Sequence, residues 1–190
     1  MVVGLTGRYC AGKSTIAEFL EQRGWLRIDV DKLGHEVLNS KAETVAANFG
    51  GEVVRQDGGI DRSALGRLVF ADPARLQQLE AILHPAMVEA VRRWIQQEKH
   101  RDILIDAAVL FRMGLHSLCD RVLFVEAPVL LRLIRGKLRD NISISGFLQR
   151  NRSQKHIVSQ ARSEGADIYR VSNWGCRAHL YRKVAGLLDQ

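Results

Sequence analysis

Gly7, Gly12, Lys13 and Ser14 stand in the spacing Gly-x-x-x-x-Gly-Lys-Ser within the stretch GRYCAGKST. These residue types at this spacing handle a polyphosphate. Glycines let backbone N–H groups close around an anion, and a helix that follows adds its N-terminus to the same nest. The lysine reaches the β- and γ-phosphates, and the serine hydroxyl can ligate Mg²⁺. The flanking residues supply the context the motif needs. Val2, Val3 and Leu5 read as a short buried strand, Ile16, Phe19 and Leu20 fall on one face of a helix, and Gly24 is placed to end it. Strand, tight loop and helix together predict a nucleoside triphosphate site.

Phosphoryl transfer also uses a carboxylate to orient the attacking hydroxyl. Asp29 and Asp31 close the run LRIDVD, which reads as a second strand; two residues apart in extended chain, they share a face. Asp31 ends that strand, or instead starts the following helix with its side chain aimed over the site for chemistry or merely capping. Asp29 is expected to be structural. Asp106 ends the run ILID and resembles the acid on the Mg²⁺ side of phosphate-loop proteins. His84, just before Pro85, reads from its residues alone as a packing or capping histidine.

The elements that must position these groups follow from periodicity. KLGHEVLN and AETVAANFG read as two short helices, and RQDGGIDR as a turn with Asp61 capping the next helix. Helical spacing runs from Asp72 to Lys99, and Pro85 is expected to break or kink it. DILIDAAVLF, DRVLFVEAP and ADIYRVSNWG supply further strands, VLLRLIRGKLRD a basic amphipathic helix, and the C-terminal segment a last helix. Five strands separated by helices predict an α/β fold with a five-stranded parallel sheet covered by helices on both faces. Ligands of such sheets sit beyond the carboxyl ends of the strands, which puts residues 7–14, Asp29, Asp31, Asp106 and Asn173 at the site.

The 190 residues suit one domain, and no apolar run approaches the ~20 residues that span a bilayer. Three widely spaced cysteines, Cys10, Cys119 and Cys176, indicate neither a disulfide framework nor a zinc site. With no signal-peptide pattern at residue 1, a cytoplasmic protein is expected. The net charge is +7, and residues 132–155 hold seven basic side chains against Asp140 alone. An excess this local points to a polyanion, either nucleic acid or the phosphates the loop already implies. Aromatic residues for base stacking are nearly lacking there, so nucleic acid is not the expected partner.

Along almost its whole length the chain resembles the dephospho-coenzyme A kinases. The resemblance is carried by GLTGRYCAGKST, IDVDKLGHEV, GGIDRSALGRLVFADPARLQQLEAILHP, IDAAVLFRMGL, RGKLRD with Gln154 after it, and ADIYRVSNWG. It implies a phosphate-loop kinase with a core over residues 1–60, 101–131 and 165–190, a helical acceptor-binding insertion over about 61–100 and a basic lid over about 132–160. The implied reaction moves the γ-phosphate of ATP, with Mg²⁺, to the 3′-hydroxyl of the ribose in dephospho-coenzyme A. Asp31 is then the candidate base, with Lys13 and Arg139 beside it as catalytic residues. ATP is expected against Cys10, Ala11, Gly12, Lys13, Ser14, Thr15, Arg135, Asn173 and Gly175. The acceptor is expected against Asp31, His84, Leu110 and Phe111, and the metal at Ser14 and Asp106, the latter through water.

The chain departs from the family pattern at Arg8, Tyr9 and Cys10, where small residues are usual. Cys10 replaces a glycine, so a positive φ there would strain the loop. Ala108, Val109 and Arg112 replace a proline, a leucine and a glutamate, and His35 stands where arginine is common. Two alternatives are a kinase of another nucleotide or nucleoside-like acceptor and a nucleic-acid-associated nucleotide-binding protein.

Overall fold

The computed structural model describes residues 1–153 and 167–189. The end of the expected lid, residues 154–160 with Gln154 and Lys155, lies outside them. The chain divides into two compact units, Met1–Asp29 with Gln97–Gln190, and Val30–Gln96.

The first unit is built on five parallel strands, β1 (Val2–Gly7), β2 (Leu26–Asp29), β3 (Ile103–Asp106), β4 (Arg121–Glu126) and β5 (Ile168–Ser172), in the order β2-β3-β1-β4-β5. The α/β class and the five parallel strands are those the sequence predicts. Alternation sets what each strand buries. Val3, Leu5, Leu104, Leu123, Val125 and Val171 form one core with Ile16, Ala17 and Leu20 of α1 (Lys13–Glu21) and Leu180 and Val184 of the C-terminal helix Arg177–Leu188. On β1 the intervening Gly4 lies against Leu110 and Cys119, where a Cβ would fall 2.8 and 2.9 Å from their side chains. Strands buried on both sides read as continuous apolar runs, which is why ILI and VLFV stand out in the sequence. β1 has β3 on one side and β4 on the other; the chain runs from β1 outward to β2, back to β3, and then crosses past β1 to β4, so the strand order reverses beside β1, and ligands of such sheets bind at the carboxyl ends there.

The second unit holds α2 (Val30–Ser40), α3 (Ala42–Phe49), α4 (Arg62–Ala71) and α5 (Pro73–Gln97). Leu38, Val45, Phe49, Val53, Ile60, Leu65 and Val69 form its core, with Leu76, Leu79 and Leu83 packed against them. Asp61 caps α4 as expected, its carboxylate accepting from the N–H groups of Ser63 and Ala64 at 2.9 and 3.0 Å.

The structure narrows two expectations. α5 does not break at Pro85. An interior proline costs about 3 kcal/mol, but Pro85 faces solvent, and the helix goes on to bury Met87 and Val91, each worth about 1.5–3 kcal/mol. The second strand ends at Asp29, so Asp31 lies in the first turn of α2 and the two acids do not share the face of an extended strand. No helix among the described residues is long and apolar enough to cross a membrane.

Candidate active site

The loop from Gly7 to Gly12 lies at the carboxyl end of β1. Gly7 is required by closeness: a Cβ would fall 2.4 Å from the Val125 carbonyl oxygen on β4. Arg8 donates to that same carbonyl at 3.3 Å, and Ala11 N–H turns back to the Arg8 carbonyl at 3.0 Å. Gly12, at φ 104°, is the N-cap of α1 and has no side chain to cap it. The first turn of α1 therefore presents its N–H groups toward the loop, the end of a helix that favours an anion. Cys10 has φ 57°, the strained position anticipated for it, which costs a residue with a Cβ about 1–2 kcal/mol.

Lys13 and Asp106, 93 positions apart in sequence, meet at this end of the sheet. Lys13 Nζ donates to Asp106 Oδ1 at 2.9 Å, and Arg27 Nη2 donates to Asp106 Oδ2 at 2.7 Å. One carboxylate thus holds two cations, one on each oxygen, and only 8% of it is exposed. The register that pairs Asp29 with Asp106 brings Arg27 of β2 within reach. Burial works against the charge on Arg27, but Asp106, Glu21 and Asp29 outweigh it and raise its pKa above the ordinary value. Sequence reasoning missed Arg27. The available signal was a charge in a strand otherwise apolar at Leu26 and Ile28.

Asn173, after β5, closes the loop from another side. It is buried, its N–H bonds the Glu126 carbonyl at 2.7 Å, and its Nδ2 donates to the Ala11 carbonyl at 2.7 Å. A Cβ on Gly12 would fall 2.1 Å from that Nδ2. Arg135 reaches the carbonyls of Ala11 and Asn173, each at 3.5 Å, from α6 (Val129–Asp140).

The basic segment divides by role. Arg132 is fully buried, donating to the carbonyls of Ala127 and Tyr9 at 3.1 and 3.5 Å and to Asn151 Oδ1 at 2.8 Å, so it braces the helix. Burial pushes its pKa down. Arg139 lies at the exposed end of α6, paired to both oxygens of Asp140 at 2.9 and 2.8 Å. Asp140 also accepts a short hydrogen bond from the Tyr9 hydroxyl.

Of the residues expected at the site, Ala11, Gly12, Lys13, Asp106, Arg135 and Asn173 are linked by these contacts. Ser14 is exposed in the first turn of α1, Thr15 half-buried beside it, and Gly175 exposed. Leu110 has no exposed surface, and Phe111 is buried with its ring 5.4 Å from that of His116. In the second unit, Asp31 is exposed at the start of α2 and His84 half-buried within α5.

A parallel sheet of this order, with a glycine-lysine loop at the end of its central strand and an acid ending the neighbouring strand, defines a phosphate-loop kinase. The family model described as CoaE, dephospho-CoA kinase, matches residues 1–175. The dephospho-CoA kinase of Treponema pallidum is 34% identical over 199 aligned positions, covering 100% of this chain and 94% of its own. The crystal structure of TT1252 from Thermus thermophilus aligns with a TM-score of 0.83 and 30% identity over 100% of this chain and 96% of that one. Dephospho-CoA kinase from Campylobacter jejuni shares the fold, with a TM-score of 0.72 and 24% identity over 99% of this chain and 95% of that one. The chain belongs to the dephospho-CoA kinase family.

Proposed function

We propose that the protein transfers the γ-phosphate of ATP to the ribose 3′-hydroxyl of dephospho-coenzyme A, completing coenzyme A in the cytoplasm. Membership of the family over nearly the full chain carries this reading, and the Lys13–Asp106 pair at the end of the phosphate loop supports it.

Each residue then has a part. The N–H groups from Cys10 to Thr15 cradle the phosphates, and Lys13 exchanges its contact with Asp106 for the β- and γ-phosphates. Asp31 accepts the proton of the 3′-hydroxyl as the oxygen attacks. His84, Leu110 and Phe111 serve as contacts of the acceptor. Asn173 and Gly175 border the adenine, while Arg135 and Arg139 neutralise charge on the phosphates and help exclude water.

The residues present fit Mg²⁺. It favours oxygen donors and takes few of them from protein, keeping waters and substrate phosphates as the rest. The Ser14 hydroxyl and, through water, the Asp106 carboxylate are such donors, and no cluster of three or more metal-ligating side chains stands among the described residues. When bound, the ion screens the charge of the triphosphate.

The test is product analysis with MgATP and dephospho-coenzyme A, alongside AMP, dTMP and shikimate, with Asp31→Asn as control. Coenzyme A formed from dephospho-coenzyme A alone, and lost in the variant, is the expected result. ATP bound without transfer to that acceptor would overturn the reading.

A further inference from the structure

Tyr9 is an aromatic residue within a phosphate loop, and it touches both helices of the basic segment, α6 and α7 (Ile144–Ser153). Its hydroxyl donates to Asp140, the carboxylate that grips Arg139. The Arg139 guanidinium lies 5.6 Å from the centre of the Tyr9 ring, and that of Arg150, from α7, lies 4.8 Å from it. Phe147, buried on α7, sets its ring 6.2 Å from that of Tyr9 at 53°. Gly136 makes room on α6: a Cβ there would approach the Tyr9 ring edge to 3.1 Å. The backbone of Tyr9 is held as well, by the buried Arg132.

Two guanidinium groups brought to one place repel each other. A ring offers its negative face to cations, and Asp140 supplies a formal negative charge, so the pair Tyr9–Asp140 can hold both arginines beside the loop. The Asp140 carboxyl is held down to about 2 by Arg139 first and Tyr9 second, so it stays ionised at neutral pH.

We propose that Tyr9 is a positioning residue that holds Arg139 and Arg150 at the phosphate loop, so that both meet the triphosphate already oriented. Tyr9 touches no reacting atom and acts through the arginines. The inference rests on the reading of the protein as an ATP-using kinase, with Arg139 acting at the phosphates, and it adds Arg150 to that set.

The experiment is steady-state kinetics on the full chain with MgATP and dephospho-coenzyme A. It compares wild type, Tyr9→Phe, Tyr9→Ala, the double variant Arg139→Ala/Arg150→Ala, and that double variant with Tyr9→Ala added. A misplaced catalytic group costs up to about 100-fold, so Tyr9→Ala is expected to lower kcat about 10- to 100-fold with little change in KM for dephospho-coenzyme A. Tyr9→Phe, which keeps the ring, recovers most of that loss. In the background lacking both arginines, removing Tyr9 changes kcat less than about 2-fold, because Tyr9 works through them. A full Tyr9→Ala loss persisting in that background, or wild-type kcat in Tyr9→Ala, overturns the proposal. Should Tyr9→Ala fail to fold, Tyr9→Leu carries the same test, since it removes the ring face and the hydroxyl but keeps a large apolar side chain in the loop. Tyr9→Leu is expected to lower kcat as Tyr9→Ala does and to change it less than about 2-fold in the background lacking both arginines, and an equal loss in both backgrounds overturns the proposal.

Wild type that makes no coenzyme A defeats the underlying reading instead. Hydrogen exchange then decides the positioning role: amides of 144–152 exchange faster in Tyr9→Leu than in wild type, or, if unchanged, the proposal fails.

Discussion

Asn173 Nδ2 donates a 2.7 Å hydrogen bond to the Ala11 carbonyl across 162 positions of sequence, and so ties the end of β5 to the phosphate loop. The bond lies in a buried setting where neither group has water as an alternative, and an orphaned partner there costs about 1–3 kcal/mol. Replacing Asn173 by Ala should lower the thermal midpoint and raise KM for ATP, because the Ala11 carbonyl keeps only the 3.5 Å contact from Arg135 and the loop loses its brace. Calorimetry beside ATP titration measures both; unchanged ATP affinity would mean that the clasp holds the fold and not the loop.

Gly12→Ala should be more damaging to nucleotide binding than to folding. The new methyl would fall 2.1 Å from Asn173 Nδ2, at a φ of 104° that side chains rarely adopt. The loop must open to admit it, and the N–H groups then lose their common focus. Loss of ATP-induced thermal stabilisation in a variant that still melts cooperatively is the expected result.

Asp106 pairs with both Lys13 and Arg27, so Asp106→Asn leaves two half-buried cations facing each other across an amide. A destabilisation of about 1–3 kcal/mol is expected, together with a fall in kcat larger than any change in KM for the acceptor. Arg27→Met tests the other half, since it removes one cation and leaves Lys13 its partner. It should cost less activity than Asp106→Asn in the same assay.

Tyr9 should titrate late. Burial first, and the hydrogen bond to Asp140 second, raise its hydroxyl from 10.0 to about 12. A raised pKa in the folded state means that this contribution to stability is full below pH 10 and is lost as pH rises toward 12. The Asp140 carboxyl is lowered from 3.8 to about 2, chiefly by Arg139, so its share is full above pH 3.8 and is lost as pH falls through 2. The tyrosinate absorbance of wild type minus that of Tyr9→Phe isolates the first effect, and a midpoint near 10 would contradict it.

Cys119 should resist alkylation until the protein unfolds. Burial first, with Asp120 adding to it, pushes its thiol up from 9.0 to about 12, and the thiolate is the reactive form. Cys176 is exposed and should be labelled at once. Mass spectrometry of peptides after brief labelling separates the two, and early modification at Cys119 would show that its pocket opens in the folded state.

The phosphate loop was legible because its chemistry is local. Glycines at fixed spacing, a lysine and a serine at a helix start, and apolar strands on a two-residue period need only neighbouring positions to be read. The same is true of the Asp61 cap and of the strands that carry ILI and VLFV, and the family pattern is itself a string of such local blocks. A break at Pro85 does not occur, because burial of Met87 and Val91 further along the helix outweighs its local penalty. Asp31 fits a strand end or a helix start in sequence, because nothing in LRIDVD marks where extended chain turns into helix. Partners that meet across the sheet were beyond the sequence altogether. That Arg27 shares Asp106 with Lys13, that Arg132 is a buried brace while Arg139 is an exposed ion pair, and that Tyr9 joins two helices all follow from strand order and helix packing. Charge and side-chain type are written in the chain, but which charges face one another depends on a parallel register that sets Asp29 beside Asp106 and Gly7 beside Val125.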